Sequence, residues 1–268
     1  MLSKNESINT NMLSKEDCSL AIKTWDDTRS HYSKIKNLIQ PATAFHFPKV
    51  DCIWLNENNN NKEFHTYIGV HKEFLILISV PIDEEGQEVD LDFYLAIPLK
   101  PLEKSINLID EKKYTTIDKT TLSKKLEIIS STEKIEFPII NEPKMKERAS
   151  VEDIIEWKNS YLDWFYKECT NYGGNGIFKT FSVPFSDLVN DDGKYNQVIC
   201  LFAFKNSKVY NRLVPVLIFV AVDEETLDAK IIRNINDPID DDTDTNSADW
   251  SQPCPPFCKD DLDYKIFE

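Results

Sequence analysis

Phe45-His46-Phe47-Pro48-Lys49-Val50-Asp51 and Phe181-Ser182-Val183-Pro184-Phe185-Ser186-Asp187 carry the same Phe-x-x-Pro-x-x-Asp pattern, 136 residues apart. Each reads as a short strand followed by a short helix. Proline suits the start of that helix, and the aspartate three residues on meets the positive end of its dipole. Sliding the chain on itself by 136 residues, without a gap, also pairs Ser14 with Ser150, Glu16 with Glu152, Asp17 with Asp153 and Asp27 with Asp163. That makes seven identities in 38 positions, where average composition gives roughly two to three.

The surrounding elements follow the same order. Upstream of the first pattern, Ser14 is a helix N-cap, and Ile22, Trp25, Tyr32, Ile35 and Ile39 form one apolar stripe of an amphipathic helix that Pro41 ends. Upstream of the second, Ser150 caps a helix bearing Ile154, Ile155, Trp157, Tyr161, Leu162, Trp164 and Phe165. The glycines after Tyr172 stop it, because glycine accepts the left-handed conformation past a helix end. Downstream, Phe64–Val70 and then Phe74–Val80 read as a strand pair turned at His71-Lys72-Glu73, with Leu91–Ile97 a further strand. Val198–Phe204 and Leu213–Val222 are the strands of the second half. The continuous apolar runs are those of strands buried on both faces. Asp83-Glu84-Glu85 and Asp223-Glu224-Glu225 follow them.

The fold class expected is α+β: two tandem copies of a helix plus a mainly antiparallel sheet. The units would span 14–110 and 149–236. A polar tail (1–13), a Lys-rich linker region (111–148) and an acidic Cys/Pro-containing tail (237–268) of little regular structure complete the division. Leu126-Glu127-Ile128-Ile129 and Ile135 to Ile140 are expected to add a strand each within the linker region.

The 268 residues carry a net charge of −15, of which −10 falls in 221–268. Such a chain is a poor match for phosphate backbones, so no nucleic-acid partner is expected. The segment Met1–Asp17 has no apolar core of a signal peptide, and the longest apolar runs are too short to span a bilayer. A cytoplasmic protein with reduced thiols and no membrane partner is the expectation.

The segment Phe181-x-x-Pro-Phe-Ser-Asp-Leu188, the strand Pro215–Val222 and Cys254-Pro-Pro-Phe-Cys258 together resemble a group of uncharacterised bacterial proteins. These have a helix, a short Phe-containing strand, an apolar strand pair and a Cys-Pro-rich terminus. The resemblance implies this organisation and supplies no activity.

Chemistry is sparse. Cys254 and Cys258 are the candidate metal ligands, as a zinc pair or a redox pair. Structural zinc needs two further ligands, and the two prolines oppose the helix that redox pairs use. The alternative is a tail docking through Trp250 and Phe257, its thiols idle or bridged. Asp240 to Asn246 mimics the start of a calcium loop but has Thr245 where glycine is needed and Ser251 where a bidentate glutamate is needed. His65 and His71 share one face of a strand with Tyr67 between them. Asp51 and Asp187 recur as paired carboxylates. Trp157, Tyr161 and Trp164 are either core or a partner surface, since aromatics dominate interface hot spots. The function expected is a non-enzymatic binding or interaction protein. The alternatives are a metal- or thiol-dependent enzyme at the Cys pair, and an acidic immunity-type protein that neutralises a basic partner.

Overall fold

A computed structural model describes residues 11–108, 114–117, 120–122, 128–130, 135–138, 147–188, 196–207, 212–223, 225–226, 228–231, 251–255 and 266–267. The first half contains β1 (Met12–Ser14), α1 (Lys15–Thr28), α2 (Tyr32–Leu38), β2 (Thr43–Pro48), α3 (Lys49–Asn58), β3 (Glu63–His71), β4 (Phe74–Val80) and β5 (Phe93–Pro101). Short strands follow: β6 (Asn107–Leu108), β7 (Tyr114–Ile117), β8 (Thr120–Leu122), β9 (Ile128–Ser130) and β10 (Ile135–Pro138). Then come α4 (Glu147–Tyr172), β11 (Thr180–Pro184), a 3-10 turn (Phe185–Leu188), β12 (Gln197–Ser207), β13 (Arg212–Val222), β14 (Asp228–Ile231) and β15 (Gln252–Cys254).

The protein mixes helix and strand around a mostly antiparallel, nearly closed sheet. Among the described residues eleven strands form it, in the order β15-β11-β3-β4-β5-β2-β12-β13-β14-β6, with β1 added to β5. Closure comes from the stretch before β15. There Ser251 Oγ accepts from the Leu217 amide (2.5 Å) and donates to the Leu217 carbonyl (3.2 Å) on β13. β15 itself pairs with β11, so one end of the ladder is brought against β13 near the other.

Strand alternation explains the burial of both faces. Leu75 and Leu77 of β4, Leu95 and Ile97 of β5, and Phe202 and Phe204 of β12 enter one large core with Trp25, Phe45, Phe47, Leu55, Trp157 and Phe165. Ile76, Ile78 and Val80 point the other way, into a cluster with Cys18, Ala21, Tyr67 and Tyr94. Ile199, Leu201, Ala203, Val216, Ile218 and Val220 form a third cluster. Period-two patterning with apolar residues in both phases has no other stable home.

The Phe-x-x-Pro strands cross between the halves. β2 pairs with β12, setting Pro48 opposite Gln197 and Phe47 opposite Val198. β11 pairs with β3, setting Pro184 opposite Glu63 and Val183 opposite Phe64. The helices do not follow the same rule. α1 lies against β3 at Gly69, where a built Cβ would stand 2.9 Å from the Ala21 Cβ, on the Tyr67 side of the strand. α4 stacks Trp157 on Phe202 and Phe204 of β12. With Phe64 matched to Val198, those are opposite faces. Two copies of one complete helix-plus-sheet unit are therefore not established by this arrangement.

Three expectations are corrected. The single helix expected over 14–39 is two, α1 and α2. Its stripe breaks at Arg29–His31 because the loop after α4 docks there: Arg29 Nη1 donates to the carbonyls of Gly174 (2.8 Å) and Ile177 (3.3 Å). Helix α4 starts at Glu147, ahead of the expected Ser150 cap. The acidic tail, expected to lack regular structure, contributes β15. Apart from Ser251, Pro255, Ile266 and Phe267, the rest of it, including the calcium-like run 240–246, lies outside the described residues.

Candidate functional site

The loop from Pro81 to Asp92 builds the most developed polar site. Asp83 folds the loop: its Oδ1 accepts from the amides of Glu85 (2.9 Å) and Gln87 (2.8 Å). Gly86 takes the positive φ (83°) that the turn needs. Val89 N then donates to Pro81 O, and Ile82 bridges to Glu88. The chain doubles back and lays Glu88 over the outer face of β3.

On that face the alternation of β3 places His65 and Tyr67 side by side. Glu88 Oε1 lies 2.7 Å from His65 Nδ1. The Tyr67 hydroxyl donates to both carboxylate oxygens, at 2.7 and 2.9 Å. The backbone amide of Ile266 donates to Oε2 at 3.1 Å. The His65 and Glu88 side chains are only 4 % and 5 % exposed, so these contacts are made away from water, where each is stronger. Tyr94 secures the end of the loop: its hydroxyl accepts from Leu91 N (2.8 Å) and donates to Val89 O (3.1 Å).

Two tyrosines make an aromatic cup beside the carboxylate. Phe267 sits edge-on to Tyr67 (centroids 5.1 Å, 86°) and to Tyr94 (5.1 Å, 69°), a preferred geometry for rings. Ile266 and Phe267 rest on the cluster of Cys18, Ala21, Ile76, Ile78 and Ala96. Burial pushes the Tyr94 phenol up to about 12, and burial with nearby Asp17 pushes the Cys18 thiol up to about 12. Neither is a nucleophile or proton shuttle at neutral pH. What the site offers is an acceptor for a backbone amide and a slot for an aromatic side chain, the two demands of a polypeptide segment.

The residues singled out from sequence fall elsewhere. Trp157 and Tyr161 are 3 % and 6 % exposed, and Trp157 packs against both Phe202 and Phe204. Trp164 stacks on Phe178 and is partly buried. The aromatic face of α4 is thus covered by the chain's own sheet. Cys254 is disulfide-bonded, and a disulfide sulfur is not the thiolate a metal takes. Trp250, Phe257 and Cys258 lie outside the described residues. Asp51 is fully buried and accepts from Asn11 Nδ2 (2.8 Å); Asp187 is 8 % exposed. Both sit in first turns, as the dipole argument expects. His71 ends β3, six residues and about 20 Å along the extended strand from His65, so the two histidines do not meet in one site.

Glu88 was missed by sequence reading, which noted only that Asp83-Glu84-Glu85 follows the apolar strand. The available signal was the run of carboxylates continuing from that triplet to the strand of Tyr94. No helix among the described residues is long and apolar enough to cross a membrane. No family model matches the chain, and neither does any curated protein or solved structure.

Proposed function

We propose that this chain is a non-enzymatic interaction protein whose binding site is the Glu88–Tyr67–Tyr94 cradle, and that its ligand is a short apolar stretch of polypeptide. The supporting observation is the seat taken by Ile266 and Phe267: one backbone amide on a buried carboxylate and one ring between two tyrosines. Recognition of that kind reads the main chain through hydrogen bonding and the side chain through a pocket. The test is titration of a labelled peptide covering residues 261–268 into the full-length Phe267→Ala chain, followed by fluorescence anisotropy. Saturable binding that Tyr67→Ala removes is expected. Absence of binding by a folded Phe267→Ala chain would end this reading.

The strand ladder further supports descent from a duplicated strand unit. Pro48–Gln197 and Pro184–Glu63 are matching pairings, the prolines 136 residues apart and their partners 134, and β3–β4 is matched by β12–β13. Asp83 and Asp223, which follow those two hairpins, each turn their Oδ1 onto the amide two residues on. The helices would then have been re-sited after the duplication, α1 to one face and α4 to the other.

A further inference from the structure

Resting on that reading of the cradle, we propose that its partner is a positively charged polypeptide segment carrying a branched-aliphatic–aromatic pair, which displaces Ile266–Phe267. The rim of the cradle is the stretch Asp83-Glu84-Glu85-Gly86-Gln87-Glu88-Val89-Asp90-Leu91-Asp92, with six carboxylates and no lysine or arginine. Glu84, Glu85, Asp90 and Asp92 are exposed, as are Glu16 and Asp17 in the first turn of α1. Lys15 neutralises Asp90 (2.7 Å). Among the described residues no ion pair reaches Glu84, Glu85 or Asp92.

The resident segment has little positive charge to offer this rim. Residues 259–268 (Lys-Asp-Asp-Leu-Asp-Tyr-Lys-Ile-Phe-Glu) hold four acids and two bases. It is kept in place by its apolar pair and by tethering, which raises its local concentration to about the millimolar range. A segment with the same pair flanked by lysine or arginine keeps every contact of the cup and adds attraction to the rim. The own segment then acts as a built-in competitor that keeps weakly matched ligands out.

The test uses two labelled peptides with an Ile-Phe core, one flanked by three lysines and one by three glutamates. Each is titrated into the full-length wild-type chain and into Phe267→Ala, at low and at high salt. The lysine peptide is expected to bind at least about ten-fold tighter than the glutamate peptide at low salt, with the advantage shrinking as salt screens the rim. Phe267→Ala is expected to tighten both by a similar factor by removing the competitor. The surface variant Glu84→Lys/Glu85→Lys, which touches no core residue, is expected to weaken the lysine peptide alone. Equal affinity for the two peptides in Phe267→Ala would overturn the charge assignment while leaving the cradle a peptide site. Lysine-peptide binding that survives Ile-Phe→Ala-Ala in the peptide would overturn it too, by placing the contact elsewhere on the acidic surface. Failure of both peptides, and of the 261–268 peptide, to bind Phe267→Ala would bring down the cradle reading itself.

Discussion

Lys72 and Glu73 join β3 to β4 with φ of 48° and 69°. Two positive φ values in a two-residue hairpin loop fit the turn that Asn-Gly favours, and an L side chain is strained at each. Replacing Lys72-Glu73 by Asn-Gly is expected to stabilise the protein by about 1 kcal/mol, read as a rise in the midpoint of urea unfolding. The position of this turn was legible, because apolar strands flank three polar residues. Its strain was not, because composition carries no sign of φ. The same limit governs the candidate site. Period two placed His65 and Tyr67 on one face, as observed. Glu88 escaped because its place over that face depends on the path of a twelve-residue loop, fixed by Asp83 Oδ1, Gly86 and the Tyr94 hydroxyl together. The Ile266–Phe267 seat lies 178 residues from Glu88, and no local pattern could connect them.

Helix α4 shows how far an apolar stripe can be trusted. Its spacing gave a buried face, and the structure buries Trp157 at 4.8 Å from the centroids of both Phe202 and Phe204. Trp157→Ala is expected to cost about 3–5 kcal/mol through lost packing and the cavity left behind. Tyr172→Ala on the same helix, where the ring is 58 % exposed, is expected to cost under about 0.5 kcal/mol. Urea unfolding of the pair separates a core face from a partner face: near-equal small losses would show that Trp157 is not a packing residue. Asp153 near the start of α4 adds a pH signature. Burial, only partly offset by Lys205 and reinforced by Glu152, pushes its carboxyl up to about 6 from 3.8. The folded state therefore holds this proton where the unfolded chain has lost it. Stability conferred by the proton is present below about pH 4, declines as pH rises, and is gone above about pH 6. Asp153→Asn is expected to be more stable than wild type at pH 7, by on the order of 1 kcal/mol. The difference should vanish near pH 4 in thermal melts. What the stripe could not reveal was the break between α1 and α2. Arg29 leaves the helix to hold the carbonyls of Gly174 and Ile177, and Gly174 packs so closely on Arg29 and Ser30 that a Cβ would clash. Those partners are about 145 residues away in sequence.

Across the whole molecule the two halves share one ladder. β2 stands between β5 and β12, and β11 stands between β3 and β15, so each half supplies a strand to a sheet begun by the other. The side chains repeat the exchange: Trp25 Nε1 donates to Phe178 O (2.9 Å), and Phe45 packs edge-on to Phe202 (5.5 Å). The order of elements in each half was readable from hydrophobic runs and turns. Their interleaving was not, because strand patterning says which face is buried and nothing of which neighbour completes the hydrogen bonding. Interleaving has a consequence that separate units would not share. A fragment of residues 1–118 leaves β2 and β3 as open apolar edges, and one of 119–268 leaves β11 without β3 and β12 without β2. Unpaired buried backbone groups cost about 1–3 kcal/mol each, against a total stability of about 5–15 kcal/mol for a domain. Neither fragment is expected to unfold cooperatively by itself, and co-expression is expected to restore a single sharp thermal transition matching that of the intact chain. A sharp transition from either fragment alone would show that the halves are independent folding units and that the crossed strand pairs are dispensable to each.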